Sequence, residues 1–235
     1  MNPLAHHDGQ SLRGEGLTLD LSGREILAGI DLEVDAGTSL VLVGPSGAGK
    51  TVLLLVLAGC IPPTQGRVLI GGQPIETNGG GYRMDVGLIL DRQGLVGGLT
   101  AEETVALPLQ ARGLPRGEIG ELVERSLSAV GLALAADRMV DELSGGQRQR
   151  VGVARALAGS PSVLLADEPV AELDPENRDR VLGLILDRRH TSVLASNDPT
   201  VVAACDRVLE LPDGTVEWVP GHRGFGHHLS EELGD

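Results

Sequence analysis

Residues 44–51 read GPSGAGKT and follow directly on SLVLV, an almost unbroken apolar run at 39–43. This junction restricts the fold more than any other stretch. A strand that is apolar along its length is buried on both faces, which belongs to a parallel sheet covered by helices. The pattern G-x-x-x-x-G-K-[ST] then uses each of its residues. Gly44, Gly47 and Gly49 let backbone approach a phosphate closely. After Pro45, which has no N–H of its own, the successive N–H groups of Ser46, Gly47, Ala48 and Gly49, with the N-terminus of the following helix, supply positive potential. Lys50 reaches the terminal phosphates as a point charge, and the Thr51 hydroxyl is a Mg2+ ligand. The helix is expected over 51–59, ended by Pro62 and Pro63.

The rest of the chain fits an α/β core. GLTLDL (16–21) and ILAGIDLEV (26–34) alternate as half-exposed strands do, and GRVLIGGQPI (66–75) resumes strand character. SVLLAD (162–167) and TSVLAS (191–196) are further buried strands. Between 98 and 141 the pattern turns helical, with Ile119, Leu122, Val123, Ser126, Leu127 and Val130 on one face. RVLELPDGTVEWV predicts a hairpin turning at Asp213-Gly214.

Composition bounds the function. Tyr82, Trp218 and Phe225 are the only aromatics, so Leu, Val, Ile and Ala fill the core. A net charge of −14 with so few stacking rings argues against nucleic acid as a partner. Cys60 and Cys205 read as reduced core thiols of a cytosolic protein. The longest apolar run, 52–61, is too short for the ~20 residues of a membrane span. The N-terminus has no signal pattern, and His6, His7, His222, His227 and His228 read as parts of polar tails rather than a metal cluster.

A phosphate loop that hydrolyses its nucleotide needs acids nearby. VLLADEP supplies them at the end of a buried strand: Asp167 as a metal ligand and Glu168 as a general base for water. LSGGQRQRVGVARALAG (143–159) adds a helix capped by Ser144, with Gly145 and Gly146 exposing N–H groups at its positive end. Val151, Ala154, Leu157 and Ala158 are its expected buried face.

Together these stretches resemble the ATP-binding cassette (ABC) ATPases, over about 16–219. The resemblance implies a P-loop NTPase core of ABC type, with an antiparallel β subdomain, a helical subdomain at about 92–143, and tails at 1–15 and 220–235. It implies ATP and Mg2+ as ligands and a head-to-tail dimer, homomeric or heteromeric. Leu143, Ser144, Gly145, Gly146 and Gln147 would contact the ATP of the other subunit, and Asp174 would couple the two sites. It also implies a separate integral-membrane permease and a peripheral position on the cytoplasmic face of the membrane. LTAEETVALPLQARG and AELDPENR look most like the lipoprotein-release and macrolide-export branch.

Three positions depart from that family's pattern. Leu21 stands where an aromatic usually stacks on adenine. Asp91 takes the register of a glutamine that touches the metal and the water, with Gln93 two residues late. Asn197 replaces a histidine that contacts the γ-phosphate, keeping one donor on a shorter side chain. With Lys50, Asp167 and Glu168 retained, the expectation is a transport ATPase that turns over slowly. The alternative is a nucleotide-gated regulatory subunit with little turnover, as in the cell-division ABC ATPase. The long coiled-coil or zinc insertions of DNA-repair relatives are not present.

Overall fold

The computed structural model describes residues 9–75, 85–90, 95–212 and 215–218. Two sheets form. The first is antiparallel, with β1 (Leu12–Leu21), β2 (Arg24–Val34), β4 (Gln65–Ile70) and β5 (Gln73–Pro74) in the order β2-β1-β4-β5. The second contains β3 (Ser39–Val43), β6 (Val86–Ile89), β7 (Val163–Asp167), β8 (Thr191–Ala195), β9 (Arg207–Glu210) and β10 (Thr215–Trp218). Its order is β10-β9-β3-β8-β7-β6, parallel except for the β9–β10 pair.

The double burial of the central strands follows from the period-two alternation of their side chains. Leu40 and Leu42 of β3, Val163 and Leu165 of β7, and Val193 and Ala195 of β8 face one apolar cluster. That cluster also holds the antiparallel sheet and helix α1 (Lys50–Leu57). Val41, Leu164, Ala166 and Leu194 face the opposite cluster. There they meet α2 (Ala101–Ala111), α3 (Arg116–Ala129) and α4 (Gly145–Ala158). Helices α5 (Pro175–Ile185) and α6 (Pro199–Ala204) complete the layer. Both edges of β3 are thus paired, and Asp206 ties its start to β9 by accepting from the Ser39 N–H and hydroxyl, each at 2.8 Å.

Helix starts are set locally. Thr100 and Glu103 close a reciprocal capping box on α2, and Pro115 precedes α3 with extended backbone. The expected face of α3 holds: Ile119, Leu122, Val123 and Leu127 are buried.

Several expectations need correction. β1 begins at Leu12, which is fully buried, so the N-terminal tail does not extend to residue 15. Cys60 is exposed, three residues past the end of α1; only Cys205 is a core thiol. Leu157 is half-buried, whereas Val153 and Ala156 join the buried face of α4. β6 carries little strand signal in the sequence: it has only four residues, and Gly87 lies within it. Tyr82, Asp91, Gln93, Asp213-Gly214, Phe225 and the five terminal histidines lie outside the described residues.

Candidate active site

The site is built where three adjacent strand ends of the parallel sheet meet the start of α1. β3 delivers the phosphate loop, β7 delivers Asp167 and Glu168, and β8, between them, delivers Ser196 and Asn197. This is the carboxyl end of the strands, where α/β sheets bind ligands.

Gly44 has φ 143, and a Cβ there would lie 2.4 Å from the Leu211 carbonyl oxygen, so no side chain fits. Gly49 caps α1 in a left-handed conformation with no side-chain bond to the helix, leaving the first N–H groups of α1 for a ligand. The Lys50 ammonium folds over the loop and donates to Gly44 O at 2.7 Å and Pro45 O at 3.2 Å. Ser46, Gly47 and Ala48 form the turn beneath it, closed by Ala48 N–H donating to Pro45 O at 3.2 Å.

Thr51 Oγ1 donates to Asp167 Oδ2 at 2.6 Å, bringing a hydroxyl and a nearly buried carboxylate together across 116 residues of sequence. Two hard oxygen donors at one point suit Mg2+. Glu168 follows in a strained conformation, φ 43, a region that costs a non-glycine residue about 1–3 kcal/mol. Its N–H donates to Ala195 O at 2.9 Å, its carbonyl accepts from Gln149 Nε2 at 2.7 Å, and its Oε2 accepts from Ser196 Oγ at 2.9 Å.

Asn197 faces the loop backbone. Its Oδ1 accepts from Gly44 N–H at 3.1 Å and its Nδ2 donates to Gly44 O at 2.9 Å. One amide thereby satisfies both polar groups of one loop residue. Leu21 is exposed at the β1–β2 hairpin, paired with Arg24. Two residues further, the Ile26 carbonyl packs on Gly49, so the hairpin borders the loop.

The signature segment forms a second, separate feature. The Ser144 hydroxyl accepts from Gln147 N–H at 3.3 Å, and the Gln147 side chain accepts from Ser144 N–H at 2.9 Å. Leu143 is buried beneath the turn. A Cβ on Gly146 would lie 2.8 Å from the Glu172 carbonyl oxygen, so backbone approach requires that glycine, whereas one on Gly145 would meet only the movable Glu172 carboxylate. Asp174 caps α5, accepting from Asn177 N–H at 3.1 Å and Asn177 Nδ2 at 2.7 Å. The Asn177 side chain leads in holding its carboxyl below the usual range, with Arg150 adding a smaller attraction.

Sequence reading missed Gln149 and Ser196. Gln149 sits in QRQR two residues past Gln147, yet its amide spans from α4 to the Glu168 carbonyl and to Glu172 N–H at 3.1 Å. Ser196 reads in the sequence only as the last residue of a buried strand. A hydroxyl closing the apolar run TSVLA, next to Asn197, is the signal the sequence offers.

The family model described as ABC transporter matches residues 27–171, which carry the phosphate loop, both acids and the signature segment. The chain belongs to the ABC transporter family. The methionine import ATP-binding protein MetN of Bordetella avium is 42% identical over 201 residues, covering 82% of this chain and 56% of that protein. The Fe(3+) ions import ATP-binding protein FbpC of Rhizobium etli is 41% identical over 192 residues, covering 80% and 54%. The chain thus spans about half the length of these curated relatives. Among solved structures, the dimeric ATP-binding cassette MJ0796 bound to ADP and Pi superimposes with a TM-score of 0.81 at 28% identity, over 90% of this chain and 100% of that one.

The two curated relatives are named as import proteins, which corrects the expected kinship with lipoprotein release or macrolide export. The stretches that suggested that branch are the whole of α2 with its capping box and the Asp174-capped start of α5. Their spelling reflects helix formation and capping, neither of which depends on the transported cargo.

Proposed function

We propose that this chain is the ATP-binding and ATP-hydrolysing subunit of an ABC importer, energising a separate membrane permease through ATP-driven dimerisation. One observation carries the reading: the Thr51–Asp167 pair, with Glu168 beside it and Lys50 folded over the adjacent loop. A site that only holds nucleotide has no need of a base next to its metal-binding acid.

In the reaction, the water oxygen bonds to the γ-phosphorus as the bond to the bridging oxygen of ADP breaks. The water's proton passes to Glu168. Lys50 leaves its loop carbonyls for the β- and γ-phosphates and neutralises charge there. Thr51 and Asp167 would hold Mg2+, with Asp91 a further candidate ligand. The ion's contribution is to neutralise the phosphate charge and orient the β- and γ-oxygens. Leu143 to Gln147 would receive the γ-phosphate of the partner's ATP on the N-terminus of α4, and Asp174 would link the two sites. The partner is a second ABC ATPase domain, identical or not. The permease brings the chain to the cytoplasmic face of the membrane; among the described residues no helix is long and apolar enough to cross it. The relatives are named for methionine and for Fe(3+) at similar identity, so likeness to them does not fix one cargo for this chain.

The second reading, a nucleotide-gated regulatory subunit with slow turnover, is favoured by the engagement of Asn197 with Gly44 and by the exposed Leu21. Glu168→Gln decides between the two. A transport motor gives measurable wild-type turnover that the variant abolishes, and the variant forms an ATP-dependent dimer by light scattering. Wild-type protein with no turnover, alone or with its permease, favours the regulator. A variant that stays monomeric at saturating Mg-ATP, with or without the permease, refutes the dimerisation scheme.

A further inference from the structure

We infer that Ser196 is a positioning residue that selects which oxygen of Glu168 accepts the proton of the attacking water. This rests on the reading of Glu168 as the general base. Ser196 is fully buried at the end of β8. Its oxygen accepts the Asp198 N–H at 3.2 Å, and its single proton points to Glu168 Oε2 at 2.9 Å. A hydroxyl has one proton to give, so this arrangement fixes its direction. Among the described residues no other side chain or N–H donates to the Glu168 carboxylate. Oε2 is therefore capped and Oε1 is left open.

The terminal torsion of a glutamate is broad and nearly two-fold, so an untethered carboxylate exchanges its two oxygens and swings. The rest of Glu168 is already fixed. Ala195 O takes its N–H and Gln149 holds its carbonyl, in a backbone conformation that non-glycine residues avoid. The Ser196 bond removes the remaining freedom. Oε1 becomes the base oxygen, aimed by a network that runs from Asp198 N–H through Ser196 to Oε2. Misplacing a reacting group by about 1 Å costs on the order of 10²-fold in rate. Loss of one tether to a carboxylate held at two backbone points costs less.

The test compares Ser196→Ala, Ser196→Thr, Glu168→Gln and the double variant Ser196→Ala/Glu168→Gln, all in the full chain. ATP affinity is measured by calorimetry, turnover under saturating Mg-ATP, and slow variants by single-turnover hydrolysis over hours. Ser196→Ala should lower kcat by about fivefold to twentyfold, a fraction of the 10²–10⁴ that a general base supplies, with the ATP Kd within about twofold. Ser196→Thr, which keeps the hydroxyl, should recover most of the rate. In the Glu168→Gln background Ser196→Ala should add no further loss, since it acts through that carboxylate. Ser196→Ala turning over within twofold of wild type overturns the inference while the Glu168 assignment stands. An equal further loss in the double variant also overturns it, since Ser196 would then act elsewhere. Glu168→Gln turning over at the wild-type rate refutes the base itself. If Ser196→Thr fails to fold, Ser196→Ala and the double variant still decide.

Discussion

Asn197→Ala should weaken ATP binding more than it slows hydrolysis. The wild-type amide pairs with the N–H and C=O of Gly44 at 3.1 and 2.9 Å. The asparagine is exposed, so water competes for both groups, and each bond is worth about 0.5 kcal/mol, the low end of the usual range. The sum is about 1 kcal/mol, or about fivefold in affinity. The bound state raises the stake. Lys50 shares the Gly44 carbonyl at 2.7 Å in the free chain, and it must leave when phosphate arrives. Asn197 is then the remaining side-chain partner of that carbonyl. The expected rise in Kd is about fivefold to tenfold, with kcat within about threefold. Affinity is read by titration in the Glu168→Gln background, so that no ATP is consumed, and kcat with Glu168 intact. Asn197→His separates the two roles: it offers a longer donor to the γ-phosphate but cannot bond the N–H and C=O of one residue together. It should raise kcat about threefold to tenfold, the partial recovery of one transition-state donor, while losing affinity as Asn197→Ala does. Unchanged affinity in Asn197→Ala, with kcat down by about 10², would refute the loop-clasp reasoning and make Asn197 a direct γ-phosphate donor.

Lys50→Ala should abolish detectable ATP binding, since no other cation in the described loop faces the phosphates; near-normal binding by calorimetry refutes the loop assignment. Leu21→Tyr should tighten ATP by about fivefold or more, because base–ring stacking is worth about 1–3 kcal/mol and this residue is exposed beside the loop; an unchanged Kd removes Leu21 from the adenine site. Burial holds the His190 imidazole below its ordinary value of 6.5, outweighing the bond of its Nε2 to Ile185 O and the nearby Asp187. The unfolded chain therefore binds the proton more readily, and stability should fall as pH drops below about 6.5. Thermal unfolding from pH 7.5 to 5.5 measures this, and an equal slope in His190→Gln would show that other groups carry it.

The sequence alone determined the local chemistry of this protein. A buried strand, a glycine loop with Lys50 and Thr51, a strand ending in Asp167-Glu168 and a capped LSGGQ helix are each encoded within a dozen residues. Local pattern and spacing suffice to recognise them, because backbone periodicity and capping act over one or two turns. Cargo class was not legible in that way: the stretches that pointed to an export branch encode one helix and the start of another. Tertiary structure decided what distant segments do to one another. Strand order put β8 between β3 and β7, and only that order brings Asn197 onto Gly44 and Ser196 onto Glu168. The antiparallel turn of β1 into β2 set Leu21 beside the loop, and Gln149 reached from α4 to the strained Glu168 turn. These are hydrogen bonds between residues 19 to 153 positions apart, whose partners are chosen by sheet order and helix packing. No local pattern in the chain carries that information.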